Sequence, residues 1–499
     1  MKPLLKLHLF LLLLLIPSLS FAMDTFFVSP RAMGMGGANI VSVKDSSAQY
    51  YNPAAFGFFG TKDADGNKMA SDSNNLGDKF WGMDFDAAAG YRLHEEFGKY
   101  IDTLADIDLN TLQAGVNNES DLQDLIKLVD SLAGIDKPNT GITADVTAGV
   151  GVRVSHIGVG GRAFAQASSQ VLNLDSQNLG FTSDVATLNT QINSVTQTGN
   201  DGMTTLFTAD QQAQLLAAGF DAAAIQQLDY AARTNGVSSK DVQSVVDLLD
   251  NVATSSGTAN SLDSNTTTVA LTGFAVGEVP ISYGYALNEH IAIGGNLKFM
   301  RGRVYGNQVL VFDNDSGELI SKTDENYEET STFGIDLGIL ARYDKFGFGL
   351  IGRNLNSPKF DGFTKDITLS NGDTVTVTAD DVTIDPQLAA GVSYMPFDTL
   401  TLEVDCDLTE NETTFPGFST QNLSFGLEWD AFKVLALRAG IYKNLAESDI
   451  DLVYTAGLGL NLWAVRFDIA GTYTTDTFKY NGKDIPQESR VAASLSFDF

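Results

Sequence analysis

The sequence predicts an all-β membrane protein: a 14-stranded up-and-down antiparallel barrel of the outer-membrane type, with an N-terminal plug in the lumen and two helical extracellular inserts. Three observations predict it. Short and long connections alternate strictly along the chain, candidate strands alternate apolar with polar residues, and a secretory leader precedes them all. Outer-membrane barrels have short periplasmic turns, long extracellular loops and an even strand number.

Residues 1–22 read as a signal peptide. Lys2 and Lys6 form the basic start, 9–16 is the apolar run, and Ser20-Phe21-Ala22 is a small-x-small cleavage site. The run is too short to cross a bilayer as a helix, and no other stretch is long enough. The formal charge is −31, and −33 once Lys2 and Lys6 leave with the leader. That charge excludes nucleic acid as a direct ligand. The single Cys406 rules out an intramolecular disulfide and any CxxC pair. Asp313-x-Asp315-x-Gly317 starts like a calcium loop but lacks the remaining ligand spacing.

Residues 23–78 precede the barrel and are rich in glycine and aromatics. Gly34, Gly36 and Gly37 allow close backbone approach, and Asn52-Pro53 followed by Ala54 makes a turn. Such a segment, tied to the start of a barrel, is expected to fold into its lumen as a plug. A dinucleotide reading of the glycines fails on spacing and on the lack of a preceding strand.

The barrel occupies 79–499. Its long connections fall at 95–140, 167–265, 314–325, 354–386, 409–420, 443–449 and 476–487. Tight ones fall at 155–157, 288–289, 344–345, 396–398, 430–432 and near Trp463. Strands of about 9–12 residues suit a tilted crossing of hydrocarbon. Leu423, Phe425, Leu427 and Trp429 share one face, opposite Asn422, Ser424, Gly426 and Glu428; Val491, Ala493, Leu495, Phe497 and Phe499 do the same in the last strand. Pro280 implies a kink or bulge within 269–283. The polar walls carry Lys298, Asp336, Arg342, Glu403, Asp405, Asp407, Glu428, Arg438, Arg466 and Asp468. These charges either pair with one another and the plug, filling the lumen, or line a conduit blocked by a movable hatch.

Two inserts, about 96–140 and 170–265, have helical periodicity. Leu122, Leu125, Ile126, Val129 and Leu132 mark one helix; Leu215, Leu216, Ile225 and Leu228 a second; Val242, Val245, Val246, Leu249 and Val252 a third, with Ser238-x-x-Asp241 as its capping box. Strand parity puts both inserts on the extracellular side, where they are expected to pack together over the barrel mouth.

The Gly-Met-Gly-Gly-Ala stretch at 34–38, Asp45 and Asn52-Pro53-Ala54-Ala55 resemble the N-terminal hatch of FadL-type long-chain fatty-acid transporters. A closer resemblance is to the barrel subfamily filed as TraF-like conjugal transfer proteins, carried by 278–283, 353–360, Asp385-Pro386-Gln387 and 405–409; PorV-type barrels are also similar. The resemblance implies a plugged 14-stranded outer-membrane barrel in a Gram-negative bacterium. It implies passive uptake of hydrophobic small molecules or, alternatively, a structural or docking role in an envelope conjugation or secretion system. Outer-membrane lipid, a hydrophobic ligand and envelope proteins are the implied partners, and a closing Phe499 resembles the signal read by the outer-membrane assembly machinery. No enzyme, cofactor or metal is expected. His94, His156 and His290 have no triad or ligand spacing, and His290 with Ser282 is the best hydrolytic pair on offer.

Overall fold

The computed structural model describes residues 27–59, 81–255, 265–310, 326–368, 374–432, 434–462, 464–480 and 483–498. The leader, residues 60–78, the Asp313–Asp315 motif, Trp463 and Phe499 lie outside them.

Fourteen antiparallel strands close into one barrel in sequence order. They are β1 (Trp81–His94), β2 (Gly141–Val154), β3 (Ile157–Asn173), β4 (Thr268–Ala286), β5 (Ile291–Leu310), β6 (Tyr327–Tyr343) and β7 (Phe346–Arg353). The second half is β8 (Gln387–Phe397), β9 (Leu400–Asp407), β10 (Asn422–Ala431), β11 (Leu435–Asn444), β12 (Val453–Leu462), β13 (Val465–Thr474) and β14 (Glu488–Asp498). The seam closes where β1 meets β14, with Ala88 opposite Ala492 and Phe85 opposite Leu495.

Alternation sets the two walls. Val491 is 61% exposed while its neighbour Arg490 is 4% exposed. Phe85, Phe299, Leu337, Phe425 and Trp429 face outward in the same way. A contiguous outward apolar wall is stable only against hydrocarbon. Closure leaves no unpaired edge, which is what a lipid environment demands. No helix among the described residues is long and apolar enough to cross a membrane.

Strand length departs from the sequence expectation. β4 has 19 residues and β5 has 20, whereas β7 and β9 have 8. The long strands run past the hydrocarbon thickness, and the second insert joins β4 to the 17-residue β3. The bulge expected at Pro280 is absent. The β3–β4 register is the same on both sides of it, from Arg162↔Glu278 to Val159↔Ile281, with the two intervening pairs missing. Pro280 has no N–H to give, so the ladder to β3 skips these pairs and resumes in the same register. Gln49 fills the inside of this gap, donating to Pro280 O at 3.4 Å and Ser282 Oγ at 3.1 Å.

Outside the barrel wall the chain makes nine helices among the described residues. Two are short and lie before β1: α1 (Pro30–Gly34) and α2 (Ala48–Tyr51), followed by a 3-10 turn, Pro53–Gly57. The first insert gives α3 (Phe97–Ala105), α4 (Leu109–Gln113) and α5 (Glu119–Ile135). The second gives α6 (Val185–Ser194), α7 (Ala209–Ala218), α8 (Ala222–Thr234) and α9 (Val242–Ser255). The inserts share one apolar core that includes Leu125, Val129, Leu228, Val246 and Leu249.

Three expectations for the inserts need correction. The apolar set Leu215, Leu216, Ile225 and Leu228 spans two helices, because Gly219 at φ +108 ends α7 with a left-handed residue. Leu216 is 51% exposed. The capping box is at Thr208–Gln211. At Ser238 the hydroxyl donates to the Asp241 carboxylate at 2.8 Å instead of accepting an amide.

Candidate functional site

The lumen is filled by the segment 27–59, whose own core of Ala48, Ala54, Ala55 and Phe56 packs on inward residues Phe164, Phe274 and Met300. Polar contacts to the wall are dense. Glu428 on β10 receives three cations: Arg31 at 3.1 Å, Lys44 at 2.8 Å and Arg438 at 2.6 Å. Arg438 reaches on to Asp468 at 2.6 Å, Asp468 to Arg466 at 2.5 Å, and Arg466 to Asp45 at 3.7 Å. Charges of both signs so deep in a protein are tolerated only when paired and hydrogen-bonded, and the cluster around Glu428 and Asp468 satisfies that condition.

Backbone amides supply the rest. Asn39 and Ile40 both donate to Asp405 Oδ2, at 2.7 and 2.9 Å. Val41 N donates to Glu403 Oε1 at 2.7 Å, and Ser42 N to Glu403 Oε2 at 3.1 Å. Ser46 N donates to Asp84 at 2.9 Å. These amides belong to irregular chain, where no helix or sheet would satisfy them, so wall carboxylates take that role.

Each motif residue has a visible task. Gly34 lies against Gly457, where a Cβ would come within 2.9 Å of the wall backbone. Gly36 has φ +68, and a side chain there would meet Ile441 O at 2.6 Å. Its amide donates to Thr455 Oγ1 at 3.0 Å. Gly37 also has positive φ. Asn52 accepts from Ala54 N at 3.1 Å, opening the 3-10 turn that begins at Pro53, and donates to Ile339 O at 3.1 Å.

All ten predicted wall charges face inward. Lys298 joins Asp336 at 3.0 Å and Glu278 at 3.7 Å. The Arg342 guanidinium sits 5.0 Å from the Phe58 ring centre. Asp407 accepts from Asn422 N at 2.9 Å. The sequence reading missed Arg31 and Lys44, the cations that complete the network. The signal was there, since two cations in a segment expected to be buried require wall carboxylates. The hydrolytic pair does not form: Ser282 accepts from Gln49, and the His290 ring contacts Arg342 O at 3.0 Å. Among the described residues no group of three or more His, Cys, Asp or Glu could hold a metal ion.

The mouth differs from expectation. It is filled by loop hairpins at 359–368 with 374–384 and at 411–420, not by the helices alone. Phe360 and Val377 join the lumenal core, Phe415 stacks on His94 at 4.1 Å, and Thr414 donates to Gln166 at 2.6 Å. The helical inserts leave an apolar hollow of about 350 Å³, lined by Ile101, Leu104, Leu128, Leu132, Val171 and Val269 among others. It lies where α3 and α5 meet the extracellular ends of β3 and β4. By contrast, the hollow above the plug, beside Asp405 and Arg353, is about 50 Å³.

Asp175 braces the place where the second insert leaves β3 and returns to β4. Its carboxylate accepts from the amides of Gln177 and Asn178, each at 3.1 Å, and from Thr266 N at 2.9 Å. Burial pushes this carboxyl up, but the hydrogen bonds from Asn178 and these amides outweigh it and hold it below the usual range.

Fold and site together define a plugged 14-stranded barrel of the outer-membrane type. The family model described as "F plasmid transfer operon, TraF, protein" matches residues 49–407, and the chain belongs to that family. No curated protein matches the chain. Solved structures similar to it include the Pseudomonas putida toluene transporter TodX (9% identity, TM-score 0.46, 95% of this chain and 99% of that one). The Ralstonia pickettii toluene transporter TbuX is 11% identical, with TM-score 0.44 over 94% and 98% of the two chains. A Pseudomonas aeruginosa FadL homologue is 10% identical, with TM-score 0.42 over 96% and 100%.

Proposed function

We propose that this protein is a non-enzymatic outer-membrane barrel for passive uptake of hydrophobic small molecules of fatty-acid type. The observation that carries the reading is the apolar hollow under the cap. Ile101 is 38% exposed at its edge, and the hollow holds no charged lining residue. A pocket lined this way selects apolar ligands by area removed from water, at about 25 cal/mol per Å². Passage through the lumen requires the plug to move, because the space above it is smaller than any fatty-acid chain. Movement of 34–42 would begin with release of the amide clamps on Glu403 and Asp405.

The test is retention of palmitate by the purified full-length barrel, compared with Ile101→Asp. The variant places a charge at a half-exposed site and leaves the cap core intact. Retention by the native chain and a loss on the order of tenfold in the variant support uptake. A folded native barrel that retains no palmitate sinks the reading.

The family description favours a second reading, a docking component of an envelope conjugation or secretion system. Affinity purification from outer membranes separates the two. Envelope-complex proteins at stoichiometric yield, with no apolar ligand bound, support docking.

A further inference from the structure

Outward positions of the described strands are almost free of charge. Lys443 sits at the extracellular end of β11, and the remaining charges form one cluster: Arg301, Arg303 and Glu329. Arg303 Nε contacts Glu329 Oε2 at 2.8 Å and its guanidinium lies 4.4 Å from the Tyr327 ring centre. Arg301 contacts the other oxygen of Glu329, and its side chain is 68% exposed. One carboxylate thus serves two guanidinium groups, each with further N–H donors and five in all per group. The cluster keeps a net positive charge on a protein of charge −31.

Depth gives the cluster meaning. Arg301 stands about ten residues beyond Ile291 on β5, roughly 25 Å along the barrel axis at ordinary strand tilt. That is the height of the outward apolar band, so the arginines mark its extracellular border. Beyond them the wall should turn polar. Instead it carries a trough floored by Ala144, Ala165, Ala167, Gly273 and Ala275. Two adjoining hollows of about 690 and 470 Å³ make it up, and the lower one includes Arg301 and Arg303. A Cβ on Gly273 would find its first neighbour, Tyr305 Cβ, at 3.4 Å, so the floor has room above it. The upper end shares Ser169 with the hollow under the cap.

We infer that this trough is a second ligand site, on the outer wall, for a single-chain carboxylate amphiphile. The chain lies in the Ala/Gly floor, reaching toward the cap, and the carboxylate sits on the free N–H groups of Arg301 and Arg303. A resident membrane lipid fits poorly, since its tails would run from the arginines into the bilayer, away from the trough. An amphiphile handed down from the cap arrives tail-up, in the orientation the charge and the trough require. The inference rests on the uptake reading and adds a second place, outside the lumen, where the head group of its substrate is held.

The experiment compares palmitate with hexadecanol, the same chain without the charge, on the full-length barrel in detergent. Native protein is expected to bind palmitate on the order of tenfold more tightly, from charge-assisted hydrogen bonds. Arg301→Ala/Arg303→Ala is expected to erase that preference while hexadecanol binding stays. Gly273→Leu, which fills the floor without a backbone clash, is expected to weaken both ligands. Arg301→Lys/Arg303→Lys is expected to recover part of the preference. The inference is overturned if palmitate binds with no dependence on the arginines or on Gly273, or if a phosphorylated outer-leaflet lipid displaces it at equal concentration. In those cases sensitivity to Ile101→Asp shows that uptake still stands. If neither ligand binds the native barrel, both readings fall together.

Discussion

The barrel is closed twice, at the plug and at the cap, and the two closures use opposite physics. The plug is held by ion pairs and by amides docked on wall carboxylates, as in the Arg31–Glu428 and Ile40–Asp405 contacts. The cap is held by apolar packing of helices, with Leu249 and Val246 fully buried. A polar closure is geometrically exacting, because every donor must find its acceptor. An apolar closure is tolerant of shape, and where its packing is incomplete it leaves a surface that apolar ligands can share. The difference explains why the larger apolar hollow, about 350 Å³, lies in the cap and only about 50 Å³ remains beside the plug.

The sharpest way to break this contrast is Glu428→Ala. It removes the carboxylate shared by Arg31, Lys44 and Arg438, leaving Arg438 its contact with Asp468 and Lys44 only Asp430 at 3.9 Å, and taking one partner out of a buried charge network costs about 3–5 kcal/mol. The expected outcome is protease access to 27–59 and a lower temperature for the folded-to-unfolded gel shift. A barrel unchanged in both would mean that the plug is held by packing, as the cap is.

Leu249→Ala should cost somewhat less, about 2–5 kcal/mol with the lower half expected because helices can close in. Its effect should stay local: faster hydrogen exchange in α5 and α9, with β7–β14 unaffected. Exchange rising equally across the barrel strands would show that cap and barrel form one cooperative unit.

The smallest effect belongs to Asp175. The Asp175 carboxyl is held low in the folded chain. A depressed folded value means that its bracing is fully present above the ordinary carboxylate range and is lost as pH falls through the folded value. Below about pH 4 the cap should loosen at 174–178 and 265–267, seen as faster backbone exchange there. Asp175→Ala should show that loosening already at neutral pH and lose the pH step. A step of equal size in the variant would assign it to other carboxylates.

Much of the barrel was legible because strand periodicity is a local signal. Trp429 and Glu428 declare their two walls to anyone counting by twos. The plug motif was legible at Gly36 and Asn52, where backbone geometry restricts the residue type. Pairing was not. Nothing local tells Glu428 that its partners are Arg31 and Lys44, nearly the whole chain away. At Pro280 a kink or bulge was expected and the register shows a two-pair skip without a bulge, because the sequence shows a missing donor but not the Gln49 side chain that occupies the gap. The outer trough was invisible for a related reason: Ala165, Ala167, Gly273 and Ala275 are unremarkable alone and become a floor only when β3 and β4 pair.

The contact between Arg31 and Glu428 spans 397 positions of sequence. Synthesis and export deliver Arg31 first and Glu428 only near the end, with Arg466 and Asp468 later still. The wall carboxylates that Arg31 and Lys44 meet belong to the final third of the chain. Loops of that length are slow to close. Joining of β1 to β14 and seating of the N-terminal segment draw on the same late strands, so neither is complete before β10–β14 are present. A chain shortened before β10 could build a sheet, but it would have no lock for the segment it carries at its start.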